Sequence, residues 1–397
     1  MERGTTDDVR RVAAMCVGGA GHRSTVVRLL IQEGCAVLHD TPNSRIGNLI
    51  ATALAGSWRR SPQGLELSER VLTEVAPQLV GSMSAALVWR RIRGTGLEAS
   101  PAGAELQQAS RFHAVLSLLR ERAIKKVLAV LYSERVEPIL VKGWAAASLY
   151  PEPALRPYGD IDLVVRPEEY SAAAAAISTA ISSSEIEREY YIDLHCGFEH
   201  LDNRSFDELC SRSRVIPLDD VDVRVLSAED HLRVLSIHLL HHNAFRPLWL
   251  CDIAAAVEGR SSDFDWDRCL GVKRRSCSVT CAIGLAHVLL GARVSDTPVA
   301  PGVKELPKWL VANVLKQWEI PFSSAQQPVT HHAPMSKYLR NPRGLLQDLR
   351  RRWPKPIEAT VYMGGPFNAF PRWPFQVGEC IGRAGKFVAQ LPRTRRE

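Results

Sequence analysis

Asp160 and Asp162 stand at alternate positions inside Gly159-Asp160-Ile161-Asp162-Leu163-Val164-Val165. In an extended strand, residues i and i+2 project from one face. The two carboxylates would lie side by side there while Ile161 and Leu163 turn to a core. Like charges held that close repel, and one keeps a proton unless a cation intervenes. A hard divalent ion with oxygen ligands, Mg²⁺ above all, is the usual partner of such a pair. The pattern points to an enzyme that handles phosphates through metal.

The elements around this run must position it. Ala104 to Arg135 repeats apolar residues at helical spacing, with Phe112, Val115, Leu116 and Leu119 followed by Ile124, Val127, Leu128 and Leu131, and it is expected to pack a core. Val26–Ile31 and Val71–Val75 carry patchier helical periodicity. Glu137-Pro138 breaks the helix, and Ile139-Leu140-Val141 follows as a short buried strand ending at Lys142-Gly143. A helix is expected over Trp144–Tyr150, then a loop stiffened by Pro151, Pro153 and Pro157, then the Asp-bearing strand. Pro167-Glu168-Glu169 opens an Ala-rich helix running to about Ser183. Arg188–Phe198 and Val221–Leu226 read as strands. Ser227-Ala228-Glu229-Asp230 has the form of a capping box for a helix over His231–His242. Further helices are expected over Leu248–Glu258 and from Asp265 through to Leu290; beyond Pro301 the order is less readable.

Composition sets outer bounds. The 397 residues suffice for two or three domains with a real core, and 46% hydrophobic with 23% charged residues is ordinary for a globular protein. The net charge of +7 is compatible with polyanionic partners without demanding them. The nine cysteines include no CxxC pair, and Cys277 and Cys281 are spaced for one helix face rather than a zinc knuckle, so reduced thiols are expected. Met1–Asp8 lacks the basic-then-apolar order of a secretory leader, and no run of about 18 apolar residues occurs. A cytoplasmic protein without a membrane span is the expectation.

Leu140-Val141-Lys142-Gly143-Trp144-Ala145-Ala146, Leu155-Arg156-Pro157-Tyr158-Gly159-Asp160-Ile161-Asp162-Leu163-Val164-Val165-Arg166-Pro167 and Ile192-Asp193-Leu194-His195 together resemble a bacterial family of uncharacterised nucleotidyltransferases within the polymerase-β-like superfamily. The resemblance is most specific over about residues 139–200 and extends more loosely through Trp249–Ala254 and Asp265-Trp266-Asp267. It implies an α+β chain, with a small mixed β-sheet nucleotidyltransferase core at 136–226 flanked by an N-terminal helical region (1–135) and a C-terminal one (227–397) with a basic tail. It also implies transfer of a nucleoside monophosphate from NTP to a hydroxyl of a small molecule, peptide or protein, releasing pyrophosphate. Asp160, Asp162 and Asp193 would ligate two Mg²⁺ ions, and Asp193 would help remove the acceptor proton. Asp193 alternates with Ile192 and Leu194 and so projects from one strand face; strands about 4.8 Å apart let the three acids converge if they pair. Glu199 is the substitute for the third acid.

Relatives in the wider superfamily usually carry Gly-Ser where this chain has Lys142-Gly143. Gly143 keeps a permissive backbone, the helix after it can offer its N-terminus to an anion, and Lys142 can supply charge to the triphosphate; both residues can equally serve only the turn. Arg156, on the proline-stiffened loop, is placed to meet phosphate oxygens bidentately or to form a salt bridge. His195 shares the face of Asp193, to orient the acid or the acceptor or to sit in the core. His238 and His242 are one helical turn apart, but no third zinc ligand is evident; the resemblance implies instead that this helix, with Arg246 and Asp252, packs behind the nucleotide or acceptor cleft, and Trp249 reads as core or as a base-stacking platform. The departure from Gly-Ser leaves open a catalytically silent nucleotide-binding or scaffolding protein. Arg350–Arg352 with Trp353, Trp373, and the Arg393–Arg396 tail leave open action on RNA ends.

Overall fold

The computed structural model describes residues 44–183, 186, 190–197, 199–271, 273–303, 306–322 and 353–390. The readings at Val26–Ile31, Arg350–Arg352 and Arg393–Arg396 lie outside them. Among the described residues four helices come first: α1 (Arg45–Leu54), α2 (Glu69–Gly81), α3 (Ala85–Ile92) and the long α4 (Pro101–Ser133). Ser100 starts α4 by accepting from the Gly103 amide at 3.0 Å, with Pro101 in the first turn where its missing N–H costs nothing.

A five-stranded mixed sheet follows, in the order β3-β2-β1-β5-β4. β1 (Ile139–Val141) leads into the single-turn helix α5 (Gly143–Ala147), β2 (Asp160–Val164) into α6 (Tyr170–Ser182), and β3 (Tyr191–His195) into α7 (Phe206–Arg212). β4 (Arg214–Leu218) and β5 (Val221–Val225) form a closing hairpin. β1 is antiparallel to β2 and parallel to β5, and β2 is parallel to β3. The period-2 rule sorts the two faces. Leu140, Ile161 and Leu163 pack with the last turns of α4 and with α6 (Ile124, Val127, Leu131, Ala173, Ile177). Ile139, Val141 and Val164 face the other way, against Phe206, Leu209 and Val234.

The remaining helices are α8 (Ala228–His241), α9 (Pro247–Glu258), α10 (Trp266–Leu270), α11 (Lys273–Leu290), α12 (Ala300–Val303), α13 (Lys308–Glu319), α14 (Pro356–Tyr362) and α15 (Trp373–Gln390). Ser227 caps α8 as its pattern predicts, its hydroxyl accepting from the Asp230 amide at 3.3 Å. Apolar residues from α1–α3 and from α8–α13 share one core, so the helical segments before and after the sheet pack together. No helix among the described residues is long and apolar enough to cross a membrane.

Three expectations need correction. Phe112, Val115 and Leu119 are exposed rather than core, at 60%, 57% and 45%. Leu106 packs in the helical core and Ala123 onward in the sheet core, so the middle of α4 spans about 25 Å between the two. The helix expected to run from Asp265 to Leu290 is broken at Gly271, whose φ is +58°. There the carbonyls of Cys269 and Leu270 accept from the buried Arg233 guanidinium, and a Cβ at Gly271 would collide with it. The cysteines are not uniformly reduced: Cys196, Cys210, Cys251, Cys269, Cys281 and Cys380 are free, but Cys277 is disulfide-bonded.

Burial also fixes an acid sensitivity. Desolvation pushes His231 down to about 3, His200 to about 3 and His241 to about 4. Below the unfolded value of about 6.5 the unfolded chain binds protons at these rings that the folded chain refuses. Their contribution to stability is therefore complete above pH ~6.5 and is lost as pH falls toward 4. For the fully buried His231 alone the loss at pH 5 is about 2 kcal/mol. Chemical denaturation is expected to give a clearly smaller unfolding free energy at pH 5 than at pH 7; equal values would contradict this.

Candidate active site

The sheet register brings two of the acids together. Asp162 on β2 is paired directly with Asp193 on β3, and Val141 of β1 is paired with Asp162 on its other side. The Asp162 side chain is buried and that of Asp193 is half-exposed. His195, two residues along β3, sets its Nε2 3.1 Å from Asp193 Oδ2 and 3.6 Å from Asp162 Oδ1. One ligand atom from each of Asp162, Asp193 and His195 lies within 4.8 Å of the others. Two carboxylates about 5 Å apart at an effective dielectric of 20 repel by about 3 kcal/mol. A cation between them removes that cost.

Asp160 does not join this group. It opens β2, opposite Tyr191, and two residues along a strand are about 6.7 Å apart, farther than neighbours across strands. Loss of solvation, then the charge of Asp162, hold its carboxyl above the usual carboxylate range, with Lys142 and Arg156 pulling the other way. It lines the same cleft as Asp162 and Asp193.

Lys142 and Gly143 make the turn out of β1 against this strand. Both have positive φ, +53° and +24°, and a Cβ on Gly143 would sit 3.1 Å from the Asp160 carbonyl oxygen. The turn needs a residue without a side chain here. Lys142 itself is held at ψ −132°, a conformation that L-residues rarely adopt. Its ammonium is ion-paired with Asp162. α5 is only five residues long, too short to bring a large dipole to an anion.

Arg156 is buried and committed to Asp252 of α9: Nε lies 3.0 Å and 3.1 Å from the two carboxylate oxygens, and Nη2 2.6 Å from Oδ2. Tyr150 adds a hydroxyl to the same carboxylate at 2.8 Å. Burial works against the Arg156 charge, and Asp252 more than restores it. While the pair is intact, that edge of the guanidinium is closed to phosphate. What the pair does is fasten the loop carrying Tyr158, Gly159 and Asp160 to the helical layer.

The acids open on a cleft of about 670 Å³, whose far wall is His238, His242, Phe245, Arg246 and Trp249. Burial, first of all, holds both imidazoles below their ordinary range, His238 well below, with nearby cations adding to the effect. Trp249 stands edge-on to Phe245 and to His238. His241 turns away to stack on Tyr362 and meet His200, so His238, His241 and His242 do not converge on one point. Glu199 lies in the short turn after β3. Arg246, expected behind the cleft, lines it instead: an Arg before Pro247 has no motif of its own, and only the tertiary fold places it across from the acids.

A mixed sheet that gathers carboxylates on one face, closed over by a cationic and aromatic helical wall, is the architecture that comparison with known proteins can place. A family model described as an uncharacterised nucleotidyltransferase matches residues 84–292, which hold all five strands, α8, α9 and every cleft residue except Met83. The chain belongs to this uncharacterised nucleotidyltransferase family. No curated protein and no solved structure matches it significantly.

Proposed function

We propose that the chain is a metal-dependent nucleotidyltransferase that moves a nucleoside monophosphate from NTP to a hydroxyl acceptor. The single observation that carries this is the gathering of Asp162, Asp193 and His195, the two carboxylates of which line the cleft. The donor set suits a divalent cation: carboxylate oxygens favour Mg²⁺, and the imidazole also admits Mn²⁺. Asp162, Asp193 and His195 would hold one ion, and Asp160 with Asp162 a second. Bound there, the ions would neutralise charge that develops on the triphosphate and would acidify the acceptor hydroxyl.

The chain's own residues have separate tasks. The turn at Gly143 lets backbone approach closely, and Lys142 balances the charge on Asp162. The acceptor oxygen attacks the α-phosphorus, the bond from that phosphorus to the bridging oxygen breaks, and pyrophosphate leaves with the electron pair. Asp193 receives the hydroxyl proton, and His195, 3.1 Å away, helps fix the position of its carboxylate.

Incubation of the intact chain with each NTP, Mg²⁺ and candidate acceptors, including small molecules, peptides and RNA, is expected to release pyrophosphate. Mass spectrometry should show a nucleoside monophosphate added to one acceptor. An added phosphate alone would instead mean transfer of the terminal phosphoryl group. The ion pair of Lys142 with Asp162 favours a second reading, a nucleotide-binding protein without turnover; calorimetric binding of NTP with no product would establish it.

A further inference from the structure

The cations lining the cleft are Lys142, Arg156 and Arg246. Lys142 is paired with Asp162 and Arg156 with Asp252. Arg246 has no carboxylate partner among the described residues. Its Nη1 meets the Met83 sulfur at 4.0 Å, and its Nε is buried without a hydrogen-bond partner. The guanidinium carbon lies 4.9 Å from the Trp249 ring centre, 4.8 Å from Phe322 and 5.8 Å from Phe245. Other deeply placed arginines are satisfied: Arg233 by Asp202 and backbone carbonyls, Arg91 by three backbone carbonyl oxygens.

Aromatic faces hold a guanidinium in place but give it no acceptor for its N–H fork. Burial and the neighbouring Arg156 push the Arg246 pKa down to about 10, with Asp160 partly offsetting them. A partly buried cation whose Nε is buried without a partner is stabilised when an anion completes its fork. Burial first of all keeps the imidazoles beside it below their ordinary range, His238 well below. The turn after β1, Lys142-Gly143, offers no side-chain hydroxyl to an anion.

We propose that Arg246 forms an anion subsite on the helical wall of the cleft, facing the carboxylates, that takes the β- and γ-phosphates of a triphosphate and so the departing pyrophosphate. A guanidinium fork matches two phosphate oxygens at once. The identity of the anion as the end of an NTP rests on the transferase reading above; the subsite itself does not. Negative charge would then be met from two sides, by cations held on the acids and by Arg246 opposite, which fixes the chain of phosphates across the cleft.

The test is calorimetric titration of the full chain with inorganic tripolyphosphate, in the absence of divalent metal. Arg246→Gln is expected to weaken binding about ten- to hundredfold, the scale of charged hydrogen bonds. Arg246→Lys keeps a cation over the rings, and hence the fold, but loses the fork; it is expected to bind several-fold more weakly than wild type. Wild-type affinity in the lysine variant, or in a folded glutamine variant, would overturn the proposal, as would no binding by the wild-type chain at millimolar concentration. Pyrophosphate release is read separately. Binding of tripolyphosphate through Arg246 without turnover of any NTP would keep the subsite and remove the transferase. Turnover with unchanged tripolyphosphate binding in the variants would do the reverse.

Discussion

Asp162→Asn is expected to lower pyrophosphate release from NTP by about a thousandfold, the scale seen when a group aimed at transition-state charge is removed. Asparagine fills the same space on β2, so the ladder that pairs this residue with Val141 and Asp193 has no reason to change. What changes is charge. The neutral amide holds a divalent cation with Asp193 and His195 far more weakly than the carboxylate, and it leaves the Lys142 ammonium without its counter-ion. Initial rates measured beside a thermal melt separate the two effects. A folded variant with activity within a few-fold of wild type would remove Asp162 from the chemistry.

Asp252→Ala is expected to cost about 3–5 kcal/mol of stability, because it strands a buried guanidinium. Arg156 and Asp252 are almost entirely buried, so solvent does little to screen the loss. The Tyr150 hydroxyl loses its acceptor in the same change. Urea denaturation reads the effect, and a loss under about 1 kcal/mol would contradict it. Replacing both partners by apolar residues, Arg156→Met with Asp252→Leu, should recover most of the stability, since a packed apolar pair can match a buried ionic one. This double variant also separates two roles for Arg156. If it only fastens the loop, activity returns with the fold; if it also touches phosphate, stability returns and activity does not.

How much of this was legible in the chain depended on the range of the interaction. The alternation around Asp160 and Asp162, the capping box at Ser227 and the break after Arg135 are local, and the strands and helices they announce are present. Register is not local. Nothing in the spacing of Asp160, Asp162 and Asp193 says that Asp162 rather than Asp160 stands opposite Asp193, and with that choice comes the inclusion of His195. Partner choice is likewise tertiary. Arg156 reads as a phosphate ligand or a salt bridge equally well until Asp252, almost a hundred residues on, is seen beside it. Apolar periodicity identifies a sided helix but not what covers it, which is why Phe112 and Val115 on α4 were expected inside and lie outside. Within the sheet region two elements went unread, α7 and β4: α7 is short and polar, and β4 carries Arg214 and Pro217 on a sheet edge where alternation is weak.

The most direct measurement is a structure of the chain with Mg²⁺ and an NTP whose α–β bridge cannot be cleaved. The account predicts a divalent ion about 2.1 Å from carboxylate oxygens of Asp162 and Asp193, with the triphosphate lying in the cleft between them and Arg246. A nucleotide bound elsewhere, or in the cleft with Asp162 and Asp193 both free of metal, would contradict it.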